Sequence, residues 1–282
     1  MKHLNSPGRA GISSRFVFRA AISMLLVACT AGSALASRAD LARALALYNQ
    51  RRFDQAIEAA AAARKTPETQ DAAAVVLARA HLERYREGVD PSDLSAAREA
   101  LGAVRSAALE PRVRLEYLLA LGQALFLEDE FGAAAELFSS AVSPARAMDL
   151  SLAEALVDWW GSATERQADL LTPDERRVLF HTLADAMREE QSDNPESAAA
   201  AYWLAAGLRG AGEPVNAWHA ATAGWVRARL AGARSATLRA DLDKLVLEGI
   251  IPDRVRPMPR ADRPAAESQL RADWELIKER WR

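Results

Sequence analysis

Residues 121–142 read LGQALFLEDEFGAAAELFSSAV. Leu118, Leu121, Gly122 and Leu125 share one helical face at i, i+3, i+4, i+7 spacing. The period breaks at LEDEF, and a second helix is expected from about Gly132, with Ala134, Leu137, Phe138 and Ala141 facing inward. Two helices joined by so short a turn must cross closely. Gly122 and Ala134 let the backbones approach, while Phe131 and Phe138 fill the space beside them. Neither helix buries its apolar face alone, so neighbouring pairs must stack.

This spacing resembles the tetratricopeptide repeat, in which a Leu-Gly pair is followed by an aromatic, then Ala, aromatic and Ala. Leu121-Gly122, Phe131, Ala134, Phe138 and Ala141 match each step, and Pro144 stands near the family's closing position. Three looser copies surround it. The first holds Ala44, Phe53, Ala56, Ala60, Ala63 and Pro67. The second holds Leu77-Ala78, a longer connection through Gly88 and Pro91, then Leu94, Ala97, Leu101 and Val104. The third holds Leu204-Ala205, Gly212, Pro214, Ala217, Ala221 and Gly224. The resemblance implies an all-α chain: a right-handed α-solenoid of antiparallel helical hairpins.

The expected organisation is an export leader over 1–36, or a lipoprotein leader over 1–28. Repeats follow over 37–149, a divergent helical pair over 150–194, and a further repeat with one more helix over 195–250. The tail divides into a proline-rich linker, 251–264, and an amphipathic helix, 265–282. In the divergent pair, Thr172, Pro173 and Glu175 form a capping box, with Leu179, Leu183, Ala186 and Met187 inward. Asn194-Pro195 is expected to open the next helix in the same way. Gly249 is expected to stop the helix begun at Ala236. Pro252, Pro257, Pro259 and Pro264 argue for an extended linker. In the last segment Leu270, Trp274, Ile277 and Trp281 form one stripe, either capping the last repeat or docking a partner through two tryptophans.

The leader has a charged start (Lys2, Arg9, Arg15, Arg19), an apolar run from Ala20 to Ala31 and small residues at Ala34 and Ala36. That run is shorter than the about 20 residues of a stable membrane anchor. Leu26-Val27-Ala28-Cys29 is also similar to a lipobox, so cleavage after Ala36 and lipidation of Cys29 both stay open. The chain is therefore expected to be exported, in the periplasm or held to a membrane by lipid. Cys29 is the single cysteine, which excludes an internal disulfide. The chain has 36 basic and 38 acidic residues, and the leader holds four of the basic ones and no acid, so the remainder carries a formal −6. An acidic domain argues against nucleic acid as partner.

No metal-binding or nucleotide-binding motif and no nucleophile elbow occurs, and His81, His181 and His219 are scattered. No catalytic residue, metal or cofactor is expected; binding is. The matched registers place Tyr48, Asn49, Arg79, Glu83, Glu116, Gln123, Phe126, Tyr202 and Arg209 on a concave groove for a peptide or partner helix. The family's carboxylate-clamp set is missing, with Leu45 and Ala206 where Asn is expected. An alternative is glycan or small-molecule binding through Trp159, Trp160 and the C-terminal tryptophans. Self-association is left open.

Overall fold

The computed structural model describes residues 36–282. The leader's charged start, its apolar run and Cys29 lie outside the described residues. Among the described residues all regular structure is helical. The chain divides into two compact units, the first ending at Leu109 and the second starting at Glu110.

The first unit holds α1 (36–49), α2 (Phe53–Ala63), α3 (Gln70–Gly88) and α4 (Pro91–Gly102). The expected small positions are at its centre: Ala44, Ala56, Ala60 and Ala63 have no exposed surface, and Phe53 is buried beside them. A polar tether joins three of the helices. Asp93 on α4 is buried and accepts from Arg84 on α3 at 2.9 Å and from His81 at 2.7 Å, while Arg84 also reaches Asp54 on α2 at 2.9 Å. Burial raises the Asp93 pKa, but these donors outweigh it and hold the carboxyl below its ordinary range.

The second unit holds α5 (Pro111–Leu127), α6 (Phe131–Arg146), α7 (Leu150–Ala168), α8 (Pro173–Asp193), α9 (Ala198–Gly210) and α10 (Pro214–Arg227). It closes with α11 (Ser235–Leu245), α12 (Ile251–Val255) and α13 (Arg263–Arg280). Helices adjacent in sequence pack together, and α7, α9 and α11 also touch one another in turn. The expected capping box at Thr172 and Glu175 is present.

The repeat is written in the backbone as well as in the side chains. The turns α1–α2, α5–α6 and α9–α10 each place one residue in the left-handed region: Arg51 at φ 59°, Asp129 at 62° and Gly212 at 82°. The next amide in each turn bonds back to a leucine carbonyl: Arg52 to Leu47 at 2.9 Å, Glu130 to Leu125 at 3.0 Å and Glu213 to Leu208 at 2.9 Å. This is the Schellman closure, which satisfies the last carbonyls of one helix and reverses the chain into the next.

At Gly122 the expectation needs refinement. A Cβ there would lie 2.4 Å from Cε1 of Phe138, which is wholly buried. The glycine makes room for a ring, not for a second backbone. The same device recurs where a Cβ on Gly161 would meet the Trp203 indole at 2.1 Å. On α5 the deepest residues include Leu115 and Leu119, and Leu118, Leu121 and Leu125 are half-buried, so its core face is rotated from the expected one. On α8 the buried apolar set is Phe180, Leu183, Ala184 and Met187; Leu179 and Ala186 lie at its margin.

Four further expectations are corrected. Asn194 follows α8, and Ser197 caps α9 by accepting from the Ala200 amide at 3.1 Å. Gly249 does not end a helix: α11 continues through a π-helical stretch, Val246–Ile250, into α12. The proposed linker is thus helical to Val255, and α13 begins at Arg263. Ile250 and Ile251 have no exposed surface, and their burial outweighs the local cost of Pro252, which sits just after a stretch whose hydrogen-bond ladder is already shifted. The C-terminal helix caps the unit. Trp274 is fully buried, edge-on to Trp218 and Trp225 at 5.6 and 5.5 Å, and its Nε1 donates to Asp243 at 2.7 Å. Trp281, expected to be buried with it, is 41% exposed.

Replacing Gly122 by leucine forces Phe138 off its seat. Overpacking of this kind costs about 1–3 kcal/mol. The expected outcome is a lower denaturation midpoint with unchanged helix content, read by circular dichroism.

Candidate functional site

The surface with most built structure lies where α7, α9 and α11 meet. Helix α9 begins AAAAYW, and small residues over its first turn let the flanking helices approach. Its free amides are taken by Glu154 of α7, whose two carboxylate oxygens accept from Ala198 and Ala199 at 2.8 and 3.0 Å. A carboxylate at a helix N-terminus meets unpaired donors and the positive end of the helix dipole. Arg234, just before α11, completes the arrangement at 3.2 Å from Glu154.

One turn further along α7, Asp158 accepts from Trp203 Nε1 at 3.2 Å. Beside it opens a cleft of about 230 Å³ walled by Asp158, Tyr202, Arg234, Thr237 and Asp241. A second cleft, about 260 Å³, shares Arg234 and is lined by Leu150, Glu154, Asn194, Glu196 and Leu230. Desolvation, then the charges of Glu165, Asp241 and Asp158, push the Tyr202 hydroxyl up to about 12 against the opposing effect of Arg209. Tyr202 therefore stays protonated and able to donate at neutral pH. Desolvation and the facing Asp158 also raise Asp241, opposed by Arg234 and Lys244.

Of the residues expected on a groove, Tyr202 is half-buried and lines this cleft. Arg209, on the same helix, is committed to Asp253 at 2.7 Å and packs where Gly249 lacks a Cβ. Gln123 is only 5% exposed, so its place on a groove surface is corrected: it lies within the helix packing. Phe126 is half-buried and edge-on to Phe131 and Trp159 at 5.2 and 5.1 Å. Glu116 lies 3.5 Å from Arg112. In the first unit, the Arg79 guanidinium sits 4.5 Å over the Tyr48 ring, Glu83 pairs with Arg86 at 2.8 Å and Asn49 is exposed.

The tryptophans offer no open platform at Trp159, which stacks on Phe138 at 5.9 Å. Trp160 is half-buried against the same core. Arg166 lies over Phe131, 5.3 Å from its centroid. No group of three or more His, Cys, Asp or Glu suited to a metal occurs among the described residues. Sequence reasoning missed Asp158, Asn194, Arg234 and Asp241. Each is an ordinary polar residue in the sequence, and only the packing of α7, α9 and α11 brings them together. No protein-family model, curated protein or solved structure matches the chain.

Two acids here should respond in opposite ways. Glu154→Ala leaves the Ala198 and Ala199 amides of α9 without their acceptor and should lower the melting temperature, by about 1 kcal/mol of stability. Asp241 has a raised carboxyl pKa, so its ionisation opposes folding near neutral pH, and Asp241→Asn should leave the melting temperature unchanged or raise it. Thermal melts of the two variants at neutral pH check both signs.

Proposed function

We propose that the protein is a non-catalytic helical-repeat scaffold of the bacterial cell envelope, its hairpins stacked as a right-handed superhelix of the tetratricopeptide kind. It binds a peptide or partner helix on the face made by α7, α9 and α11. The observation that carries this reading is a pair of adjoining clefts, one on that face, acidic and with the Tyr202 donor, and one part apolar, between the start of α7 and the connections that lead into α9 and α11. The three matching Schellman turns support a repeat architecture. A rigid, already ordered surface binds without the entropic cost of ordering itself. Site-specific photo-crosslinking in cells producing the full chain tests it. A crosslinker at Thr237, exposed on the cleft wall, should yield a discrete adduct with a protein partner, and one at the exposed Val178 of α8 should not. No adduct at Thr237, or the same adduct from both positions, removes the reading.

The envelope assignment rests on the leader. Of its two cuts, we favour the one before Cys29. Ser37 is only 4% exposed, and its hydroxyl bonds the Ala63 carbonyl at 3.1 Å. A cut after Ala36 would place a charged amine on this buried residue within a helix's first turn, where both desolvation and the helix dipole oppose it. Intact-mass analysis of the exported protein should show a lipid-bearing Cys29 start. A Ser37 start overturns this choice.

A further inference from the structure

The face made by α7, α9 and α11 also specifies what kind of segment fits it; the inference rests on the scaffold reading above. We infer that it takes an extended peptide carrying a lysine or arginine within a few residues of an aliphatic side chain. The cation lies between Asp158 and Asp241, and the aliphatic group between Leu150 and Leu230.

Three independent observations converge. The first is charge. Glu154, Asp158, Glu196 and Asp241 line the two clefts against one guanidinium, Arg234, which is already paired with Glu154. Among the described residues neither Asp158 nor Asp241 has an ion-pair partner, although Asp241 feels the charge of Asp158 and, in the opposite sense, those of Arg234 and Lys244. Like charges facing one cleft repel until a cation enters between them. The second is apolar surface. Leu150 and Leu230 are 53% and 51% exposed and line the same cleft. Exposed leucines converging in one concavity mark a contact site more than isolated ones do.

The third is an unused amide. Asn194 is only 8% exposed and lines the cleft, yet its carboxamide makes no hydrogen bond among the described residues. The carboxamide is not sealed from solvent, so it is open to a ligand entering the cleft. Its acceptor oxygen and donor nitrogen match the N–H and C=O of a passing peptide group. Nucleotides and acidic lipids are repelled by the carboxylates. A small polyamine would leave both the leucines and Asn194 unused.

The test uses the full-length protein on an array of peptides of about ten residues, long enough at ~3.3 Å per residue to cross both clefts. The array varies one basic, neutral or acidic position against one aliphatic or polar position. The wild type should retain peptides that combine Lys or Arg with Leu or Ile. The double variant Asp158→Asn/Asp241→Asn should weaken them at least about tenfold, and Asn194→Ala should weaken all retained peptides alike. Thr237→Arg, an exposed position that puts a cation into the cleft, should block them too, and it serves as the readout should the double variant melt early. Equal retention of acidic peptides overturns the inference, as does retention of basic ones undiminished by either variant. If no peptide is retained while the Thr237 crosslink persists, this chemistry fails and the scaffold stands. If both are absent, both fail.

Discussion

A ring seated in a notch holds the second unit together. Phe138 has no exposed surface because α5 carries glycine where the ring arrives, and Trp159 closes the other side. Protein interiors are packed as densely as organic crystals, so the notch and the ring must be chosen together. Trp203 repeats the device against Gly161, and its Nε1 then reaches Asp158 at the edge of the cleft. The packing that secures α7 to α9 thus also fixes one wall of the candidate site.

Glu154 has a comparable double role. One carboxylate caps α9 through two amides and holds Arg234 in place. The α7–α9 contact and the entry to α11 therefore share one charged group. Among the described residues Asp158 and Asp241, which share one cleft of that face, form no ion pair of their own.

The helical hairpins were legible in the chain because burial follows helical periodicity: Ala56, Ala134 and Ala217 occupy equivalent positions and none has exposed surface. The turns between the helices were less legible. Arg51 and Asp129 adopt left-handed backbone without glycine, and only the aspartate is of a type that favours it. The proline-rich tail was misread because local propensity was weighed without the burial of Ile250, Ile251 and Val255. Of the candidate site, Tyr202 was legible from its register on α9. Asn194, Asp158 and Asp241 were not, since residues far apart in sequence meet only when three helices pack side by side.

The π-helical stretch between α11 and α12 holds one residue more per turn than its flanks. That surplus sets the phase of everything after it, turning Ile251 and Val255 inward, Asp253 toward Arg209 and Arg254 over Trp218. Excising a single residue from Val246–Ile250 would let the helix rewind into the ordinary form with that phase kept, whereas rewinding all the residues of the stretch would swing the following side chains by about 100°, the angle per residue of a helix with 3.6 residues per turn. The two aliphatic groups would then face water, and both guanidinium contacts would come apart at once. In this part of the chain the spacing of residues matters as much as their identity.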